Sequence, residues 1–190
     1  QDKFALKSQE KALKAQKENK FKSEIINFKI KSKNSELDFK IDEHPREGIN
    51  LDSLARLKPV FKKDGTVTAG NASGINDGAA AVTLMSANES DKRGLQKLVS
   101  IKSWASCGVD PSLMGTGPIP SSKKALDLAG WSMKDVDLFE INEAFAAQSI
   151  AVIKELKISE EIVNINGGAI ALGHPIGASG TRILVTLIHE

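Results

Sequence analysis

The chain has 190 residues and a mass of 20.4 kDa; 41% of its residues are hydrophobic, 26% are charged, and its net charge is +2. That length and apolar content suit one compact domain or pieces of two, and exclude general disorder. One cysteine, Cys107, excludes an internal disulfide framework, no run approaches the roughly 18–20 apolar residues of a membrane-spanning helix, and so small a net charge gives no global case for nucleic-acid binding.

Residues 1–70 carry a net +5 and residues 71–190 a net −3, while 12 of the 15 glycines fall in the second stretch, which marks a change of architecture near residue 70. Asp2–Lys20 reads as an exposed amphipathic helix with a thin stripe of Phe4, Leu6, Ala12, Leu13 and Ala15. Residues 24–30 and 37–41 alternate like strands around a polar turn at 32–35. The lysines of this region read as a solvated face or, more sharply, as an anion-facing surface. The run 79–85 is ambiguous between helix and buried strand. Beyond it the pattern alternates. Strands are expected at 98–105, 137–141 and 161–165, and helices at 121–129 (ending at Gly130), 144–156 and 179–189, with Ser132 capping a short turn. Such alternation predicts an α/β layered architecture. The chain begins at Gln1 and ends inside a helical pattern, so it is expected to be a piece of a longer protein.

Three glycine-rich constellations carry the chemistry. Residues 166–180 surround His174 with glycines, and Pro175 holds His174 extended, near the start of the last helix. The positive helix end favours a neutral imidazole, suited to general-base work or hydrogen-bond donation. Residues 140–148 place Asn142 and Glu143 at a strand-to-helix junction. There Asn142 either caps the helix or holds a water or carbonyl oxygen, and Glu143 favours the first helical turn. Residues 66–78 form a small-residue loop against which a ligand can lie, although it has neither Walker nor dinucleotide-binding spacing. The turn 114–118 is a weaker relative of it.

Together these strings resemble the thiolase family. The most specific are Asn142-Glu143-Ala144-Phe145 and the run from Gly173 to Gly180. The stretches 71–81, 104–120 and 42–46 look like its acetoacetyl-CoA-forming branch. The resemblance implies a layered αβαβα fold of which residues 1–75 form part of the CoA-covering loop domain. Residues 76–96 would end the N-terminal half, and 97–190 would form most of the C-terminal half. It implies acetyl-CoA C-acetyltransferase chemistry, condensing two acetyl-CoA to acetoacetyl-CoA and CoA, with these thioesters as substrates and no resident cofactor or metal. His174 matches the histidine that activates a nucleophilic cysteine and binds a thioester oxyanion, and Asn142 the asparagine that fixes a water there. Ala69, Ala72 and Ser73 match the loop along pantetheine, and Arg46 and Phe61 positions near the nucleotide. Met114 and Phe145, with Ala144 beside them, match the acyl and pantetheine tunnel. The resemblance also turns 79–85 into a buried strand, and implies a dimer or tetramer, without nucleic-acid or membrane partners, in the cytoplasm.

The family's two catalytic cysteines lie upstream and downstream of the matched stretch, and Cys107 corresponds to neither; it reads as a packed thiol. The 190 residues alone are therefore expected to lack thiolase activity. The competing readings are a longer-chain 3-ketoacyl-CoA thiolase of β-oxidation and a non-catalytic CoA- or lipid-binding relative. A pure binder has no need of His174 and Asn142.

Overall fold

The computed structural model describes residues 1–33 and 35–190. In chain order the helices are α1 (Asp2–Lys17), α2 (Leu51–Ala55), α3 (Ala87–Lys92), α4 (Pro118–Ala129), α5 (Ala146–Leu156), α6 (Ala169–Leu172) and α7 (Ser179–His189). Strands β1 (Phe28–Ser32) and β2 (Ser35–Phe39) pair antiparallel, with Ile30 opposite Leu37. The expected polar turn between them includes Asn34, which lies outside the described residues. Local chemistry accounts for the helix ends. Asn50 and Ser53 form a reciprocal capping box on α2, Gly130 (φ 71°) closes α4 in the left-handed region, and Ser132 caps the turn at Met133–Asp135 together with Asp135.

Helix α1 is central rather than exposed, which corrects the sequence reading. It packs on α6, α2 and α5, and its buried face is Ala5, Ser8, Gln9, Ala12 and Ala15. Small side chains at helical spacing let another backbone approach closely. A Cβ on Gly167 (φ 84°) would sit 2.7 Å from both Ala12 Cβ and the Ser8 carbonyl oxygen. Ala5, Ala146 and Ile170 form a buried cluster capped by Phe4, which ties α1, α5 and α6 together.

The strands beyond the hairpin depart most from expectation. Residues 98–105 form no ladder, and Leu98, Val99, Ile101 and Trp104 are exposed, Trp104 by 78%. The run 79–85 is likewise largely exposed and unpaired, not a buried strand. Residues 137–141 and 161–165 reduce to one parallel bridge, Phe139 with Val163, beside a 3-10 turn at Glu160–Ile162. A strand is completed by backbone groups of a neighbour, and the described residues supply none for these segments beyond that bridge.

Candidate active site

The three glycine-rich constellations converge. Residues 71–76 run between the other two like a short strand. On one side Ala72 bridges Phe145, Ser73 N–H and Oγ both donate to the Ala144 carbonyl (3.0 Å each), and Ala146 N–H donates to the Asn71 carbonyl (2.9 Å). On the other side Ile75 bridges His174, whose N–H is shared between the Gly74 carbonyl (3.2 Å) and Asn76 Oδ1 (3.1 Å).

Across this seam Asn142 Nδ2 lies 3.3 Å from His174 Nε2, and His174 Nδ1 lies 2.6 Å from Ser179 Oγ. The Ser179 hydroxyl donates to the Pro175 carbonyl at 3.0 Å. Its one proton being used there, it accepts from His174 Nδ1–H. Nε2 is then the unprotonated nitrogen, which suits the Asn142 amide as its donor; the proton positions follow from this network. Ser179 is the first residue of α7, so the last helix itself aligns the imidazole. The ring is satisfied by side chains, not by turn carbonyls.

Asn142 does not cap α5. Phe145 occupies the N-cap position, which has no side-chain bond, and Asn142 Oδ1 is buried without a partner. Nor does Glu143 lie in the first turn of that helix. It is buried, 2% exposed, and accepts from Ser8 Oγ (2.6 Å), Asn164 Nδ2 (2.9 Å) and Ile170 N–H (3.2 Å). Burial pushes its carboxyl up and outweighs the three donors, which pull it down. Two residues before Asn142, burial pushes Glu140 from its ordinary 4.5 to about 7, against the attraction of Arg182.

The remaining sequence-selected residues are placed unevenly. Ala72, Ser73, Ala144 and Phe145 belong to the seam. Phe61, 71% exposed, packs edge-on against Phe145 with ring centroids 5.8 Å apart. Arg46 is held through its backbone N–H on Gln9 Oε1 (2.9 Å) with its side chain exposed, and Ala69 is exposed too. Met114, also exposed, ends up in the 3-10 turn Pro111–Thr116. None of the hydrogen bonds among the described residues ties Arg46, Ala69 or Met114 to Asn142 or His174. Cys107 is partly buried. Sequence reasoning missed Ser179, Asn76, Asn164 and Ser8, and the buried role of Glu143. Only Ser179, five residues after His174 and at the start of the expected last helix, carried a local signal.

Family models, curated relatives and solved structures all match the chain along its length. The family model described as "Thiolase, N-terminal domain" matches residues 1–88, and "Thiolase, C-terminal domain" matches residues 95–190. The chain is 60% identical over 190 residues to the acetyl-CoA acetyltransferase of Shinella zoogloeoides, covering all of this chain and 48% of that protein. It is 57% identical over 191 residues to the cytosolic acetyl-CoA acetyltransferase of Rattus norvegicus, with the same coverage. The crystal structure of the Bacillus anthracis acetyl-CoA acetyltransferase superposes with a TM-score of 0.97 at 52% identity, over 99% of this chain and 48% of the other. The chain thus spans about half the length of the curated relatives it matches.

Proposed function

This chain belongs to the thiolase family, and from that premise we propose that it supplies the histidine–asparagine side of an acetyl-CoA C-acetyltransferase site. The observation that carries the reading is the Asn142–His174–Ser179 chain of hydrogen bonds, which leaves an unprotonated Nε2 beside an amide donor. Nε2 takes the proton of a cysteine thiol, and the resulting thiolate attacks the acetyl-CoA carbonyl, releasing CoA. The enolate of a second acetyl-CoA then displaces the cysteine to give acetoacetyl-CoA. Asn142 and, once protonated, His174 Nε2 donate toward oxygen that gains charge in these steps. The nucleophile and the second acid–base cysteine come from outside these 190 residues, since the one thiol here, Cys107, matches neither.

The CoA path is proposed to run along Ala69, Ala72 and Ser73, past Ala144, Phe145 and Met114, toward Phe61 and Arg46. In support, Ser73 is tied to Ala144 and Phe61 packs on Phe145. Acetyl-CoA, acetoacetyl-CoA and CoA are the substrates, and the chemistry needs no resident cofactor. Residues 1–75 are proposed to belong to a loop domain, with 76–96 and 97–190 in the two halves. A homodimer or homotetramer in the cytoplasm is the working assembly, in line with the relative named as cytosolic.

The test replaces the matching 48% of the Shinella zoogloeoides protein with this chain and assays thiolysis across acyl chain lengths. The chimera is expected to cleave acetoacetyl-CoA in preference to longer ketoacyl-CoAs, while the 190-residue chain alone is inactive. His174→Ala in the chimera is expected to lower kcat by roughly 10²–10⁴-fold. A folded chimera without thiolysis, or turnover by the isolated chain, contradicts the proposal.

A further inference from the structure

Glu143 lies beside Asn142 in sequence, yet its carboxylate points away from the seam into the interior, where every group it touches is a donor. Oε1 accepts from Asn164 Nδ2, and Oε2 accepts from Ser8 Oγ and from Ile170 N–H. Each of these bonds leads to a different part of the molecule.

The first arm runs through Asn164. Its amide grips both sides of one residue: Oδ1 accepts from Ile141 N–H at 2.7 Å and Nδ2 donates to the Ile141 carbonyl at 2.8 Å. Ile141 directly precedes Asn142. Asn164 itself sits at φ 44°, a left-handed conformation that asparagine tolerates better than most side chains. The second arm runs through Ile170 in α6. That helix is closed by bonds from Leu172 N–H to the Gly168 carbonyl (2.9 Å) and from Gly173 N–H to the Ala169 carbonyl (2.8 Å), so it carries the position of Ile170 rigidly up to His174. The third arm anchors the carboxylate to α1 through Ser8, whose Oγ also accepts from Gly168 N–H at 3.1 Å. Gly168 has no side chain where the carboxyl group lies; a Cβ there would run into it.

We propose that Glu143 is a positioning residue, a buried clasp that joins the stems of the Asn142 and His174 loops and thereby sets the hydrogen bond between them. The inference rests on the reading of Asn142 and His174 as the working pair and deepens it. Glu143 touches neither substrate nor the reacting atoms. The Asn164 arm holds the stem of Asn142 and the Ile170 arm the stem of His174, so the pair needs both; the Ser8 arm supports the fold.

The test is made on the isotope-labelled 190-residue chain by NMR. The readout is the cross-relaxation contact between the Asn142 side-chain amide and the His174 ring, with thermal melts followed in parallel. The wild-type chain is expected to show the contact. Glu143→Gln keeps the shape but turns an NH₂ group toward either Asn164 Nδ2 or Ile170 N–H, and the contact is expected to be lost. Should that variant fail to fold, two others decide. Asn164→Gly keeps the left-handed backbone accessible but cuts the arm to Ile141, and is expected to lose the contact. Ser8→Ala cuts the anchor to α1, at both Glu143 and Gly168 N–H, but neither the Asn164 nor the Ile170 arm, and is expected to keep the contact even where its melting temperature falls. Survival of the contact in folded Glu143→Gln or Asn164→Gly overturns the proposal, as does its absence from the wild-type chain. Thiolysis by the chimera does not enter this measurement, so the clasp and the proposed activity fail separately.

Discussion

His174 is engaged on both ring nitrogens, and the direction of each bond follows from a serine hydroxyl whose proton is committed elsewhere. Ser179→Ala removes the acceptor at Nδ1 while leaving a residue of similar size at the start of α7. A net hydrogen-bond contribution near 1 kcal/mol corresponds to a shift of about fivefold in the tautomer ratio toward Nε2–H. Nitrogen NMR of the labelled imidazole reads that ratio directly; an unchanged ratio would mean that Ser179 does not set the proton. Of the candidate site, His174 was legible in the sequence from its glycines and following proline, and Asn142, left open between helix cap and site by its local chemistry, only through the family resemblance. Their supports were not. Ser8 meets Glu143 across 135 residues of sequence, and Asn76 reaches His174 across 98, with nothing local to announce either contact. The capping role considered for Asn142 failed because α5 begins later than its hydrophobic pattern suggests, at Ala146.

At the scale of elements, the helices α4, α5 and α7 follow the expected segments closely, since their hydrogen bonds close within a few residues. The strands beyond the β1–β2 hairpin did not follow, because their bonds must come from elsewhere in space; residues 98–105 have strand composition and no partner among the described residues. Helix α1 was misjudged for a different reason. Its stripe of Phe4, Leu6, Ala12, Leu13 and Ala15 read as thin and exposed, whereas Ala12 and Ala15 join Ala5, Ser8 and Gln9 in a buried face made mostly of small side chains that allow close approach. That face predicts the effect of Gly167→Ala. The new methyl group would collide with α1, and φ 84° is costly for alanine. A loss of about 1–3 kcal/mol is expected in denaturant titrations, with a smaller loss for Gly94→Ala, where positive φ meets open space.

For the molecule as a whole, the buried acid Glu140 ties stability to pH. Its folded pKa, about 7, lies above its ordinary 4.5, so the folded state prefers the neutral acid. Its contribution is therefore most favourable below pH 4.5 and declines as pH rises through 7. A fall of about 2 kcal/mol between pH 5 and pH 8 is expected from this group. Glu24, also raised by burial, acts in the same direction. Urea titrations at the two pH values check the slope, and Glu140→Gln is expected to flatten it. The β1–β2 ribbon has a further consequence for the chain in solution. Phe28 and Leu37 are exposed by 67% and 56%, and neither outer edge is paired among the described residues. Such an edge is a template on which a strand from another copy can grow. β1 carries Lys29 and Lys31 and β2 carries Glu36 and Asp38, with Lys29 paired to Glu36 at 2.8 Å, so a second ribbon meets like charges if it adds β1 to β1 and opposite charges if it adds β1 to β2. Salt shortens the reach of those charges from about 10 Å at 0.1 M to about 3 Å at 1 M, so ionic strength is expected to shift which of these pairings a second copy of the ribbon can make.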